Sequence, residues 1–170
     1  DALAPMTPEQ LQSLIQSLET TEAISSSHHP PEQALTTEAL DLNAPRPPVL
    51  RVGEGFGSSV VFVDRTGKIW PITAQQGFNK NLIAVEASTV TGDKSDLPTV
   101  LTVQAKASAG ASNLIVILKD LETPVVISLV LGQKTIDSRK AYKLPFPGPV
   151  IGMLLLLFAL IELVPKLRDL

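Results

Sequence analysis

The chain has 170 residues, of which 44% are hydrophobic but only 4% aromatic, and it contains no cysteine. This length suits one domain of ordinary size with some additional segments. Without cysteine, the sequence excludes disulfides, thiolate-ligated zinc, thiol nucleophiles and lipid attachment through cysteine. Its formal net charge of −3 argues against electrostatic binding of nucleic acid.

The charge is distributed unevenly along the chain. Residues 1–45 contain seven acidic side chains and no Lys or Arg. Residues 46–170 hold all fourteen basic side chains and the other ten acidic ones, which gives a net charge of +4. The sequence therefore predicts an acidic arm followed by a mildly basic body.

The acidic arm contains one amphipathic helix pattern. Residues 7–10 (TPEQ) indicate an N-cap, a proline in the first turn and a capping box. Four apolar residues then follow at i, i+3, i+4 and i+7 and form one stripe: Leu11, Leu14, Ile15 and Leu18. We expect a helix over about residues 8–22. Because an isolated helix of this length is unstable in water, the stripe is a predicted interface, with the body or with a partner.

A flexible linker is predicted between this helix and residue 46, which completes an arm of residues 1–46. Its composition is rich in Ser, Thr and Pro, which favours irregular structure. Both histidines of the chain, His28 and His29, fall in this linker, and no other type of metal ligand lies beside them. We expect them to be solvated, and we predict no metal site.

The body, residues 47–144, is predicted to be mainly β and to form a β-sandwich-like domain. Short runs rich in β-branched residues are separated by Gly, Asn, Asp and Pro. Pro71 indicates an edge strand or a bulge. The predicted strands are residues 58–64 (SSVVFVD), 69–73 (IWPIT), 82–87 (LIAVEA), 99–105 (TVLTVQA), 113–119 (NLIVILK) and 124–131 (PVVISLVL).

The body contains no pattern typical of an active site. Gly53, Gly55 and Gly57 lack the third glycine of a phosphate-binding loop, since position 58 is serine, and they indicate a bulge or tight turn. With both histidines in the linker, no Ser-His-Asp triad can form within the body. Trp70 is expected to pack in or beside the core.

Catalysis by paired carboxylates is not expected either. Asp64, Glu86, Asp120 and Glu122 each lie at a predicted strand end, and their spacing gives no reason for convergence. The sequence therefore predicts a protein that is not an enzyme and that binds no cofactor.

The last segment, residues 145–170, begins with a stiff break (PFPGP) and continues with an apolar run over residues 151–164 (IGMLLLLFALIELV). As a helix the run spans about 21 Å, less than the ~30 Å hydrocarbon core of a membrane. A C-terminal apolar helix buried in an assembly is therefore favoured over a membrane span. The predicted interface residues are Met153, Leu154, Leu157, Phe158 and Ile161.

Several short motifs follow one another along the body of the chain. They are residues 47–51 (PPVLR), 55–56 (GF), 58–64 (SSVVFVD), 66–67 (TG), 70–72 (WPI), 113–114 (NL), 123–125 (TPV) and 131–134 (LGQK), followed by Asp137 and Arg139. Together these motifs resemble the DotH/IcmK family of type IVB (Dot/Icm) secretion systems, called TraN in IncI-type conjugative plasmids. The resemblance covers roughly residues 3–142, including the helix that precedes the β-domain.

The resemblance implies a structural role in the outer-membrane core complex. Such proteins are exported to the periplasm, associate with the outer membrane and assemble into a ring. Their implied partners are DotC-like and DotD-like lipoproteins and a DotG-like large channel subunit, which together form a conduit for protein or DNA. The alternative is an independent periplasmic module that binds a peptide or glycan at an exposed strand edge.

Overall fold

A computed structural model describes residues 7–26, 29–90, 97–149 and 160–161. The chain divides into two compact units, Asp1–Pro31 and Glu32–Leu170. The described part of the first unit contains the helix α1, Pro8–Ser26. The described part of the second contains nine strands: β1 Glu32–Ala39, β2 Val49–Val52, β3 Gly57–Val63, β4 Ile72–Gly77, β5 Ile83–Ser88, β6 Val100–Ala105, β7 Gly110–Leu118, β8 Val125–Leu131 and β9 Thr135–Lys143.

The start of α1 is fixed by the predicted capping box. The Gln10 backbone N–H donates to the Thr7 hydroxyl at 3.3 Å, and the Thr7 N–H donates to the Gln10 side-chain oxygen at 3.1 Å. These reciprocal bonds satisfy two amides that a helix start otherwise leaves unpaired. The helix continues to Ser26, four residues beyond the predicted end.

The strands form two mixed sheets that share one hydrophobic core, a sandwich-like arrangement. The five-stranded sheet has the order β1-β9-β3-β6-β5, and the four-stranded sheet has the order β2-β8-β7-β4. Alternate residues of the central strands enter the core, as Val60 and Phe62 do from β3 and Ile127 and Leu129 from β8. The mainly β prediction is therefore confirmed.

The prediction of a flexible linker up to residue 46 is wrong over β1. Glu32–Ala39 pairs in parallel with β9 along its whole length, and Leu40 immediately after it is buried in the core. The compact β-domain therefore begins at Glu32 rather than at residue 47. The sequence of β1 (EQALTTEA) gave no strand signal because β1 is an edge strand and most of its side chains are exposed.

The other predicted strands match observed strands within a few residues. The largest difference is at the predicted strand 69–73, since the observed strand β4 begins only at Ile72. Ile69 still forms an isolated bridge with Val63. As Pro71 indicated, β4 lies at a sheet edge and has a register shift between Ile72 and Ala74. Besides β1, two further strands, β2 and β9, were not predicted.

Little of the C-terminal segment falls within the described residues. Leu160 and Ile161 are helical and exposed. The rest of the predicted apolar helix, with Met153, Leu154, Leu157 and Phe158, lies outside the described part of the chain. Within the described residues, no helix is both long enough and apolar enough to span a membrane.

Candidate interaction surfaces

Asp64, the first of the candidate carboxylates, organises the turn after β3. Its Oδ1 accepts hydrogen bonds from the Thr66 hydroxyl (2.6 Å), the Thr66 N–H (2.8 Å) and the Lys68 N–H (3.0 Å). Its Oδ2 accepts from the Gly148 N–H at 3.1 Å. The Thr66 hydroxyl, together with the backbone donors, holds the pKa of Asp64 well below its usual range. Asp64 is therefore an ionised structural group that also ties down the chain after β9.

Trp70 packs at the same end of the domain, as predicted. Its ring is buried and meets Phe146 edge to face, with centroids 5.9 Å apart. The indole N–H donates to the Lys119 carbonyl at 2.8 Å, just beyond β7. Both its apolar surface and its polar group are satisfied within the fold, so Trp70 is a packing residue.

Asp137 and Arg51, which both belong to the resembling motifs, join the two sheets. Asp137 of β9 is fully buried and accepts from the Arg51 backbone N–H (2.8 Å), Nη2 (2.8 Å) and Nε (3.1 Å). Burial opposes the ionisation of Asp137, but the hydrogen bonds from Arg51 outweigh it and lower its pKa. The bidentate pair thus joins β2, an edge strand of the four-stranded sheet, to β9 of the five-stranded sheet.

A second ion pair links β1 to β9. The Lys140 Nζ lies 2.6 Å from the Glu38 Oε2 and 5.9 Å from the centre of the Tyr142 ring. Tyr142 is fully buried and stacks on Phe62. Burial, together with the charges of Glu38 and Asp137, raises the pKa of Tyr142, so the phenol remains neutral at physiological pH. The pair therefore secures the edge strand β1.

The other candidate motifs also have structural positions. Gly55 has a φ of 78°, and the Phe56 N–H donates to the Gly53 carbonyl at 3.1 Å, which is the tight turn that the glycines predicted. Glu86 is exposed on β5, and Asp120 is exposed in the β7–β8 turn. Among the described residues, no three His, Asp or Glu side chains are grouped so that they could hold a metal ion.

The outer face of the four-stranded sheet is apolar and nearly free of charge. Val49, Ile117 and Val126 are 46%, 41% and 39% exposed on it. Arg51 is the one charged side chain that the strands present there, and Asp137 neutralises it. The remaining outward residues of these strands are uncharged: Ala74, Gln76, Ala111, Asn113, Ile115, Ser128 and Val130. Such a face is typical of a protein–protein interface.

The outer face of the five-stranded sheet is different because it carries free charges. Arg139 and Lys143 point outward from β9, and Glu86 does so from β5. Leu35 of β1, 62% exposed, lies opposite Arg139 in the register. The two outer faces therefore suit partners of different chemistry.

The predicted stripe on α1 is an exposed surface of the first unit. Its four residues, Leu11, Leu14, Ile15 and Leu18, are 47–56% exposed. Ile161 of the C-terminal prediction is also exposed. Their role as interface residues stays a prediction.

Sequence reasoning missed the exposed apolar face of the four-stranded sheet. Residues 125–131 (VVISLVL) are apolar on both faces, so the alternation that separates core from surface is weak there. The exposed residues can be recognised only after the register places Ile115 opposite Val126, on the side away from the core.

Comparison with known proteins identifies the family of this chain. No curated protein matches the chain. Residues 5–155 match the DotH/IcmK family, described as the outer membrane core complex of type IVb secretion. The match includes α1 and all nine strands, and therefore the α1 stripe and both sheet faces, whereas Ile161 lies beyond it. The chain thus belongs to the DotH/IcmK family of proteins of the type IVb secretion outer membrane core complex.

Proposed function

We propose that this protein is a structural, ring-forming subunit of the outer-membrane core complex of a type IVB secretion or conjugation system. The observation that carries this proposal is the uncharged outer face of the four-stranded sheet, with Val49, Ile117 and Val126 exposed on it. Placing such a face against other subunits removes apolar surface from water, at roughly 25 cal/mol per Å². Family membership supplies the assembly in which such contacts occur.

The proposed partners are copies of this chain, DotC-like and DotD-like lipoproteins and a DotG-like large channel subunit. The proposed location is the periplasm, in association with the outer membrane. The protein would scaffold the conduit through which protein or DNA passes. The ion pairs Arg51–Asp137 and Lys140–Glu38 suit this role, because they fix both the sheet-to-sheet packing and the edge strand of each copy.

The test is the size of the particle that contains the protein. The full chain is expressed with its neighbouring genes, extracted from the envelope in mild detergent, and measured by light scattering and mass spectrometry. We expect a particle far larger than 18.1 kDa that contains several copies of the chain together with lipoprotein subunits.

Two variants connect the assembly to the proposed surface. Val126→Asp places a charge on the apolar face and should remove the chain from the large particle, whereas Lys68→Gln in the exposed β3–β4 turn should not. A monomeric wild-type chain in the extract would contradict the proposal.

A further inference from the structure

The helix α1 carries negative charge that nothing near it in sequence balances. Residues 1–45 contain no Lys or Arg, and the last turn of α1 holds no basic residue. Glu19 and Glu22 nevertheless follow the apolar stripe toward the C-terminal end of the helix, where the helix dipole is negative. A surface that receives this helix should therefore offer apolar contact together with cations.

The outer face of the five-stranded sheet offers cations on one strand. Lys140 and Tyr142 of β9 turn into the domain, so Arg139, Ala141 and Lys143 turn outward. Arg139 and Lys143 are exposed and stand about 13 Å apart, at ~3.3 Å per residue of strand. The described salt bridges involve Arg51 and Lys140 and leave these two cations available.

An apolar row crosses the same face between the two cations. Val61 of β3 lies opposite Ala141 on one side and opposite Val100 on the other, and all three are half-buried. Leu35 extends the apolar surface at the β1 edge. The stripe of α1 from Leu11 to Leu18 is about 10 Å long at ~1.5 Å per residue, which matches a row of three strands at ~4.8 Å spacing.

We propose that α1 of one copy packs on the outer face of the five-stranded sheet of a neighbouring copy. Its apolar stripe lies on the row at Val61, and its C-terminal acids lie toward Arg139 and Lys143. The partner is a second copy because the chain carries both complementary parts, a helical unit (residues 1–31) with four acids and no base, and a β-domain that exposes Arg139 and Lys143. This head-to-tail contact rests on the proposed ring function, since repeating it around an axis closes a ring.

The uncharged face of the four-stranded sheet is the less suitable receptor for α1. Its one charged side chain, Arg51, is already paired with Asp137, so it offers no cation to the acids of the helix. That face stays available for subunits of other kinds. The charge difference between the two faces thus gives a choice that a cross-linking experiment can test.

The test uses cysteine pairs in the full chain, which contains no cysteine of its own. One variant carries Gln12→Cys beside the stripe and Ser59→Cys on the five-stranded sheet. Its matched control carries Gln12→Cys with Ser128→Cys on the four-stranded sheet. With a short bis-maleimide we expect a ladder of multiples of the chain mass for the first pair and little product above background for the control.

Charge reversal tests the electrostatic part of the contact. Arg139→Glu with Lys143→Glu should reduce intermolecular cross-linking about tenfold, which corresponds to two ion pairs of ~0.7 kcal/mol each. Adding Glu19→Lys and Glu22→Lys to the same chain should restore it. The control Lys68→Glu with Lys80→Glu makes the same charge change at exposed positions away from this face and should leave cross-linking unchanged.

The outcomes separate this inference from the proposed function. Cross-links confined within one chain, cross-links that favour Ser128, or absent cross-links overturn the inference, and a large wild-type particle measured in parallel leaves the ring function standing. A failure of the reversed acids to restore cross-linking overturns the charge pairing. A wild-type chain that is monomeric in the envelope extract overturns the ring function itself.

Discussion

α1 and the β-domain treat their apolar side chains in opposite ways. The β-domain buries its large apolar residues in one core, where Leu50, Phe62 and Ile127 lose all contact with solvent. α1 instead leaves each residue of its stripe about half exposed. The described hydrophobic core therefore lies in the β-domain, and a partner that covers the stripe would add tertiary stabilisation to α1.

The two regions also differ in whether their charged side chains are paired within the chain. The buried charges of the β-domain are paired inside the chain, as Arg51–Asp137 and Lys140–Glu38 show. The four acids of residues 1–31 have no basic residue within that unit. The β-domain pairs its buried charges internally and exposes Arg139 and Lys143, whereas the acids of the helical unit suit a contact with another molecule. Variants in each region should therefore affect different measurements.

The largest expected loss of β-domain stability comes from Gly132→Ala. Gly132 has a φ of +79°, and an added Cβ would lie 2.7 Å from the Ser108 carbonyl oxygen. The left-handed backbone costs about 1–2 kcal/mol and the clash about 1–3 kcal/mol more. Denaturant unfolding followed by Trp70 fluorescence measures this, since Trp70 is the only tryptophan and lies in the β-domain.

Gly67→Ala is the matched control for the clash. Gly67 has a φ of +90°, but an added Cβ would meet nothing within 4 Å. Gly67→Ala should therefore lose only the roughly 1–2 kcal/mol that the left-handed backbone costs, without the cost of a clash. Equal losses in the two variants would contradict the close packing of the β8–β9 turn against Ser108.

Asp137→Ala should have the next largest effect. It removes the acceptor of three hydrogen bonds and leaves the Arg51 guanidinium and backbone N–H without their partner. Breaking a buried pair costs about 3–5 kcal/mol, and we expect about 2–4 kcal/mol here because Arg51 can reach solvent. Glu86→Ala, an exposed carboxylate on the same sheet, should change stability by less than about 0.5 kcal/mol. Similar losses in both variants would show that the pair does not hold the sheets together.

The strands that the sequence predicted and those that it missed differ in burial and pairing. Runs such as residues 58–64 and 82–87 carry β-branched residues that enter the core, so composition alone located β3 and β5. The strand β9 (TIDSRKAYK) was missed because it mixes buried Asp137 and Lys140 with exposed residues. These polar residues are buried only because partners from β2 and β1 pair with them, and a single-sequence pattern does not contain such distant contacts.

The surfaces could be predicted only in part for the same reason. The stripe on α1 follows from local spacing, and its exposure agrees with that pattern. The row at Val61 and the cations at Arg139 and Lys143 share one face only through the parallel pairing of β3 with β9. Long-range register created that face, so the sequence alone gave no indication of it.

Lowering the pH is expected to reduce the stability of the β-domain by less than the substitutions above do. The pKa of Asp137 is lowered in the folded state against about 3.9 in the unfolded chain, so its contribution is fully present above that value. As the pH falls below about 4 toward the folded pKa, the contribution is lost, by less than about 1.4 kcal/mol per pH unit. The charged groups that act on it are Arg51 and Lys140. Unfolding measured from pH 5 to pH 2 should show a flatter decline for Asp137→Asn, and parallel declines would contradict this.

The smallest expected effect on β-domain stability comes from Leu14→Asp in α1. Because the Leu14 side chain is half exposed, the Trp70 unfolding transition should move by less than about 0.5 kcal/mol. The same variant should abolish assembly, since it places a charge in the middle of the stripe, whereas Ser13→Asp on another side of the helix should preserve it. If Leu14→Asp destabilised the β-domain as much as Asp137→Ala, the stripe would be part of the core of its own chain. Unchanged assembly would instead show that the stripe is no interface. Stability kept while assembly is lost is the one result that assigns folding to the β-domain and association to α1.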